Sequence, residues 1–326
     1  MHYRKFNHTN FACSEVGLGC WQLGGSDWGD LSDKEAFDIL AKAVDCGVNF
    51  FDTADVYGDG RSETLIGRFL KSSHADVFVA TKLGRRQIYP DKYSEATIRA
   101  ATEESLQRLQ VDALDLTQLH CIPTEVMRQG DVFDWLRKLK GEGKIKSIGA
   151  SVESMEEARI CLQQEGLSSL QIIFNIFRQK PIAELFDEAK AKSVALIVRL
   201  PLASGLLGGK LTEQSNFPAN DHRNYNRDGQ FFNVGETFAG LPFELGVDLA
   251  NELRQYVPVG MTMAEWAMRW ILDFDAVTVV IPGATKIQQV ADNASASDLP
   301  ALGGEVHRQL QTFYQQKIAQ HIRGPY

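Results

Sequence analysis

The chain has 326 residues, 44% of them hydrophobic and 23% charged, which suits one large α/β barrel with a sizeable core rather than a small domain or a disordered chain. A net charge of −8 argues against general attraction to nucleic acid or to an anionic membrane, although a local basic pocket for phosphate remains compatible with it. The 5 cysteines are odd in number and form no Cys-x-x-Cys pair, no apolar run is of membrane-spanning length and the N-terminus lacks a signal-peptide core, so a cytosolic protein with reduced thiols is expected.

In chain order, the first residues read as a short hairpin turning around Asn7 to Asn10 that plugs the bottom of a barrel. A strand, SEVGLGCW, follows. From Ser32 to Cys46 apolar residues recur at Ala36, Ile39, Leu40 and Ala43, with Ser32 as cap, Glu35 three residues on and Gly47 as the stop. Thereafter short apolar runs alternate with helical spacing. The runs are VNFFDT, DVFVAT, ALDLTQL, IKSIGAS, LQIIFN, VALIVRL and AVTVVIP. The helical segments include Ser94 to Leu109, Asp131 to Lys140 and Ser154 to Gln163. Strands of continuous apolar residues are buried on both faces, as in parallel sheets. Eight strand–helix repeats without a composition break predict a closed (β/α)8 TIM barrel, a single domain over residues 1–326. Two additions are expected. One is a long polar loop after the seventh strand, about 211–241, whose Phe231, Phe232 and Phe238 make it pack. The other is a C-terminal helix from about Gly304 to Ile322.

Asp52, Lys82 and His120 sit at or just past the ends of three of these runs, and Tyr57 lies in the loop after the first. Taken singly, each has an ordinary reading: a turn cap, a surface lysine, a core histidine, a loop aromatic. On neighbouring strand ends of one barrel they converge on one rim, where such barrels place their chemistry. A phenol is a weak acid at neutral pH, with a pKa near ~10. A neighbouring cation makes its proton easier to give. Lys82 supplies that cation, Asp52 holds it, and His120 hydrogen-bonds the substrate oxygen. This set delivers a proton to a carbonyl as hydride arrives, and hydride must come from a cofactor.

With these motifs assembled, the chain resembles the aldo-keto reductases over nearly its whole length. GLGCWQLGG, FDTADVYG followed by SETLIG, ATKLG, QLHCIP and IPGATKIQQVADN follow the family's order. The resemblance implies a (β/α)8 barrel and NADPH-dependent reduction of aldehydes or ketones, with Tyr57 as general acid supported by Asp52, Lys82 and His120. It also implies that Ser151 and Gln171 hold the nicotinamide amide. Trp21 belongs to the first loop, and with Trp28 lines the substrate pocket. Leu202, Ser204, Gly205 and Leu206 line the pyrophosphate, ahead of Gly208 and Gly209. Gly283, Ala284, Thr285, Lys286, Gln289 and Asn293 form the adenosine-phosphate site at a helix N-terminus. Three residues depart from the family's pattern: Val152 where Asn is usual, Arg199 where an aromatic residue often stacks on the nicotinamide, and Gln289 where many members have Arg. Arg199 either stacks and favours the reduced cofactor, or pairs with a loop carboxylate or a phosphate. NADP is favoured and NAD stays open. Cys121 replaces a common Trp, giving a smaller wall. Two other functions stay in view: an NAD-preferring sugar or polyol dehydrogenase, and a cofactor-sensing regulatory subunit with slow turnover.

Overall fold

A computed structural model describes residues 1–6, 9–28 and 31–326. An antiparallel hairpin of β1 (Tyr3–Lys5) and β2 (Ala12–Ser14) precedes an eight-stranded parallel sheet. Its strands are β3 (Leu18–Gly19), β4 (Phe50–Asp52), β5 (Phe78–Leu83), β6 (Leu114–His120), β7 (Ile145–Ser151), β8 (Leu167–Ile173), β9 (Ala195–Arg199) and β10 (Val277–Val280). They pair in chain order from β3 to β10. The Gly17 amide donates to the Val280 carbonyl at 2.8 Å and the Val280 amide to the Glu15 carbonyl at 2.9 Å, which joins the last strand to the segment entering the first. The predicted barrel and its eight strands are therefore present.

Side chains alternate across a strand, so every second residue faces inward. Phe50, Phe78, Ala80, Leu116, Ala195, Ile197, Val279 and Ile281 form one inner apolar cluster, separate from the larger core between sheet and helices. Phe6 and Cys13 of the hairpin arm join it, Phe6 lying 5.2 Å from the Phe78 ring and 5.9 Å from the Phe50 ring. The expected plug is thus built around Phe6. Of its turn, Asn7 and His8 lie outside the described residues.

The helices form where their caps say. Ser32 and Glu35 close a capping box at the start of Asp33–Asp45, and Ser94 and Thr97 do the same for Glu95–Leu109. Two expectations need correction. The C-terminal helix is regular only over Gly304–Phe313, then widens to a π-turn at Tyr314–Ile318 and tightens at Ala319–His321. In the long loop, Phe238 is fully buried but Phe231 is 74% exposed, so only part of its aromatic content packs as core. That loop holds a single helical turn, His222–Tyr225, and the 3-10 turns Val234–Glu236 and Phe238–Gly240. No helix among the described residues is long and apolar enough to cross a membrane.

Candidate active site

The same alternation that builds the inner cluster places polar residues one step further along each strand. Asp52 follows Phe50 on β4, Lys82 follows Ala80 on β5, and Gln118 and His120 follow Leu116 on β6. Ser151 ends β7, Gln171 lies on β8, and Arg199 follows Ile197 on β9. Register then brings them side by side: Lys82 is opposite Gln118, His120 opposite Ser151, and Ser151 opposite Gln171. The carboxyl ends of the strands thus carry a polar layer on an apolar floor.

Lys82 is 1% exposed and Asp52 2%. The Lys82 ammonium donates to Asp52 Oδ1 at 2.5 Å, to the Thr53 carbonyl at 2.8 Å and to the Tyr57 hydroxyl at 3.1 Å, which uses its three protons. The second Asp52 oxygen accepts from Gln171 Nε2 at 2.7 Å and Gln118 Nε2 at 3.2 Å. An ion pair this deep needs such further bonds to offset its desolvation. Gln118 escaped notice in the sequence, though it stands two residues before His120 on the same strand face. Gln171 was expected at the nicotinamide amide. Its Nε2 is committed to Asp52, which leaves Oε1 for a ligand.

Tyr57 reaches the layer from the loop after β4. That loop crosses the segment after β3 so closely that a Cβ at Gly58 would lie 2.0 Å from the Gly24 carbonyl oxygen, and Gly58 has φ +60°. Only glycine permits both. Trp21 covers the phenol ring nearly face to face at 5.9 Å, and His120 meets it edge-on at 5.8 Å.

Burial pushes the Tyr57 phenol up to about 12, with Lys82 pulling it back and Asp52 adding to the rise. From the sequence alone, the Lys82 cation is expected to lower this acid. The correction is that desolvation outweighs a cation already shared with Asp52. Burial also works against the charge on Lys82, but Asp52 and Tyr57 outweigh it and hold the ammonium above its usual value. His120 is held well below the ordinary imidazole value, by burial first and then by Lys82, Arg85 and Arg199. It is neutral at neutral pH, and its Nδ1 has no partner among the described residues.

A cavity of about 480 Å³ opens above this layer. Tyr57, Asp52, His120, Trp21, Trp28, Gln171 and Arg199 line it, together with Leu202, Ser204, Gly205, Gly283 and Gln289. Trp28 is therefore a cavity wall, not plain core. Its companions from the long loop are Arg223, Tyr225, Phe231, Phe232 and Glu236. Asp27 ties the two walls together, accepting from Trp21 Nε1 at 3.0 Å and from the Tyr225 hydroxyl at 2.8 Å.

Arg199 takes the pairing alternative. It meets Glu236 of the long loop at 2.8 Å, donates to the Val152 carbonyl at 3.0 Å and reaches Ser151 Oγ at 3.3 Å. Cys121, Glu153 and Glu236, whose ligand atoms lie within 4.8 Å of one another, gather around this guanidinium. Ser151 is fully buried beneath Arg199 and Leu206 is buried behind the loop, so neither borders the cavity. The Gly205 amide donates to the Leu202 carbonyl at 2.9 Å, and Ser204 Oγ is bonded to the backbone of Glu236 and Phe238 at 3.1 Å each. The predicted pyrophosphate loop is thus locked to the long loop through Ser204.

At the start of helix Ile287–Ser295, Gln289 Oε1 accepts from the amides of Thr285 at 2.8 Å and Lys286 at 3.1 Å, and from the Thr285 hydroxyl at 3.2 Å. The chain caps its own predicted phosphate site with a neutral oxygen. Asn293 donates to the Gly283 carbonyl at 3.4 Å, steadying the turn before this helix.

Residues 15–315 match the sequence model of the aldo/keto reductase family. An aldo-keto reductase of Bacillus subtilis is 29% identical over 89% of this chain and 87% of its own. The NADH-specific methylglyoxal reductase of Escherichia coli is 30% identical over 89% and 92%. Among solved structures, a glycerol dehydrogenase from Gluconobacter oxydans superposes with a TM-score of 0.80 at 28% identity, covering 99% of this chain and 97% of that one.

Proposed function

The chain belongs to the aldo/keto reductase family of oxidoreductases, and we propose that its cavity reduces a small aldehyde or ketone to an alcohol with Tyr57 as the acid. The observation that carries this reading is the buried Lys82–Asp52 pair with its third proton aimed at the Tyr57 hydroxyl. Because Lys82 donates to the phenol oxygen, the Tyr57 proton is free to point into the cavity. The phenol is fully protonated at neutral pH, so the acid is loaded before substrate arrives. As the proton leaves for the carbonyl oxygen, negative charge develops 3.1 Å from the Lys82 ammonium. An interaction that strengthens along the reaction in this way lowers the barrier. Neutral His120 contributes as a hydrogen-bond donor to the same oxygen rather than as a cation.

A nicotinamide dinucleotide supplies the hydride when bound. The cavity lining suits it: Tyr57, Asp52, His120, Gln171 and Arg199 share one cavity with Leu202, Ser204, Gly205 and Gln289. His120 Nδ1 and one Arg199 nitrogen are buried and unpartnered among the described residues, as expected of atoms that meet a ligand. Lys286 at the helix start supports NADPH. A second reading, NADH, is favoured by one observation: Gln289 already satisfies the amides that a phosphate would take.

Tyr57→Phe is the test. Turnover of a panel of aldehydes, followed by loss of reduced-nicotinamide absorbance, should fall by about 10²–10⁴-fold while cofactor binding persists. Tight NADPH binding with no turnover of any aldehyde, indifferent to this change, would instead identify a cofactor-sensing subunit.

A further inference from the structure

Two arginines follow β5, and their surroundings differ. Arg86 is held by Asp59 at 2.5 Å and Glu104 at 2.6 Å. Arg85 has no hydrogen bond or ion pair among the described residues, and its guanidinium only lies over the Tyr89 ring, 5.1 Å from the centroid. Yet Arg85 lines the cavity together with Tyr57 and His120, and its charge is one of those felt by His120.

The other cations of the cavity wall are paired, and its carboxylates are hydrogen-bonded. Arg199 pairs with Glu236, and Arg223 pairs with Asp221 at 2.6 Å while covering Trp28. Asp52 is taken by Lys82, and Asp27 by Trp21 and Tyr225. Glu153 feels the Arg85 charge but forms no ion pair with it, and burial holds its carboxyl up at about 7. Among the described residues that line the cavity, Arg85 is therefore the cation left without an ion pair, in a chain whose net charge is −8. A guanidinium presents paired donors in a plane that fits a carboxylate edge.

We propose that Arg85 receives a carboxylate on the substrate, so that the preferred substrates are aldehydes or ketones that also carry a carboxylate. The proposal rests on the carbonyl-reducing reading of this cavity. It divides the work within one cavity: Tyr57 gives the proton, and Arg85 selects what is brought to it.

The test compares 4-carboxybenzaldehyde with benzaldehyde, which share a carbonyl and differ in the carboxylate. Wild type should favour the acid in kcat/KM by about tenfold or more, chiefly through KM, the scale of one charge-assisted bond. Arg85→Gln should erase that preference, the two aldehydes then reacting with kcat/KM values within about twofold of each other. Arg85→Lys should restore part of it, since a point charge remains without the fork. Benzoate binding, read by intrinsic tryptophan fluorescence, should weaken in parallel. A preference that survives Arg85→Gln, or none in wild type, overturns the proposal. So does a phosphorylated aldehyde that outcompetes the carboxylate. If neither aldehyde is reduced but benzoate binds in an Arg85-dependent way, the anion site stands and the reaction assignment falls.

Discussion

On the cavity floor, Lys82 and Asp52 are held by strands on either side, and both are almost fully buried. At its far rim, Thr285, Lys286 and Gln289 sit at the exposed start of a helix and bond mainly to one another. The floor pairs are fixed by sheet register, so removing one partner strands the other without water. The rim pairs are fixed by one side chain folding back, so another side chain can replace it. Chemistry is therefore expected to be brittle here and cofactor choice pliable.

The strongest way to break that contrast is Lys82→Met. It leaves Asp52 charged and buried with only amide donors, a loss of about 3–5 kcal/mol for a broken buried pair. On the proposed mechanism it also removes the charge that receives the developing phenolate, so turnover should drop by at least about 10²-fold. Thermal unfolding and single-turnover rates check the two effects separately. A variant as stable as the parent would mean that the floor is wetter and more forgiving than its burial implies.

The pH dependence follows next in size. On the proposed mechanism, reduction uses protonated Tyr57 and neutral His120. With the phenol pushed to about 12 and the imidazole held low, its rate should be flat across the neutral range. Alcohol oxidation needs the phenolate. The oxidation kcat should climb up to about tenfold per pH unit on the alkaline side, approaching a plateau only near the phenol's own value. A basic limb for reduction near neutrality would show that Lys82 dominates Tyr57 after all.

At the rim, Gln289→Arg replaces a neutral cap with a cation beside two backbone amides. The NADPH over NADH ratio in kcat/KM should rise by about tenfold, carried by KM, with kcat for a given aldehyde little changed. An unchanged ratio would place the adenosine phosphate elsewhere.

The same contrast governs what the sequence could tell. The floor was legible because strand residues obey a period of two: once Phe50 and Leu116 face inward, Asp52 and His120 must as well, and Gln118 could have been placed by the same count. The loop contacts follow no period. Arg199 finds Glu236 and Asp27 finds Tyr225 only because a long loop folds back over the cavity. Nothing local marks those partners, so the sequence leaves Arg199 two readings and the folded loop selects one. The rim was half legible: the helix start and its residues were foreseen, but not that Gln289 would cap the amides itself.

The smallest expected effect concerns Asp55, in the loop that carries Tyr57. Its Oδ1 is buried without a partner among the described residues, and burial, reinforced by Glu63 and opposed by Arg108 and Arg86, raises its carboxyl to about 7. In an unfolded chain it titrates near ~3.9. The folded state therefore binds this proton more tightly. That contribution to stability is complete below ~4 and is lost as pH rises through about 7. Asp55→Asn keeps the shape and removes the titration. The variant should match wild type in acid and melt a few degrees higher above neutrality, with the difference opening between about pH 4 and about pH 7. Glu153, also held near 7, titrates in both proteins and cancels in the difference. Melting curves that stay parallel across this range would show that water or a rearranged Arg108 already compensates Asp55. The floor's exclusion of water would then stop at Asp52 rather than extend into the loop that holds the acid.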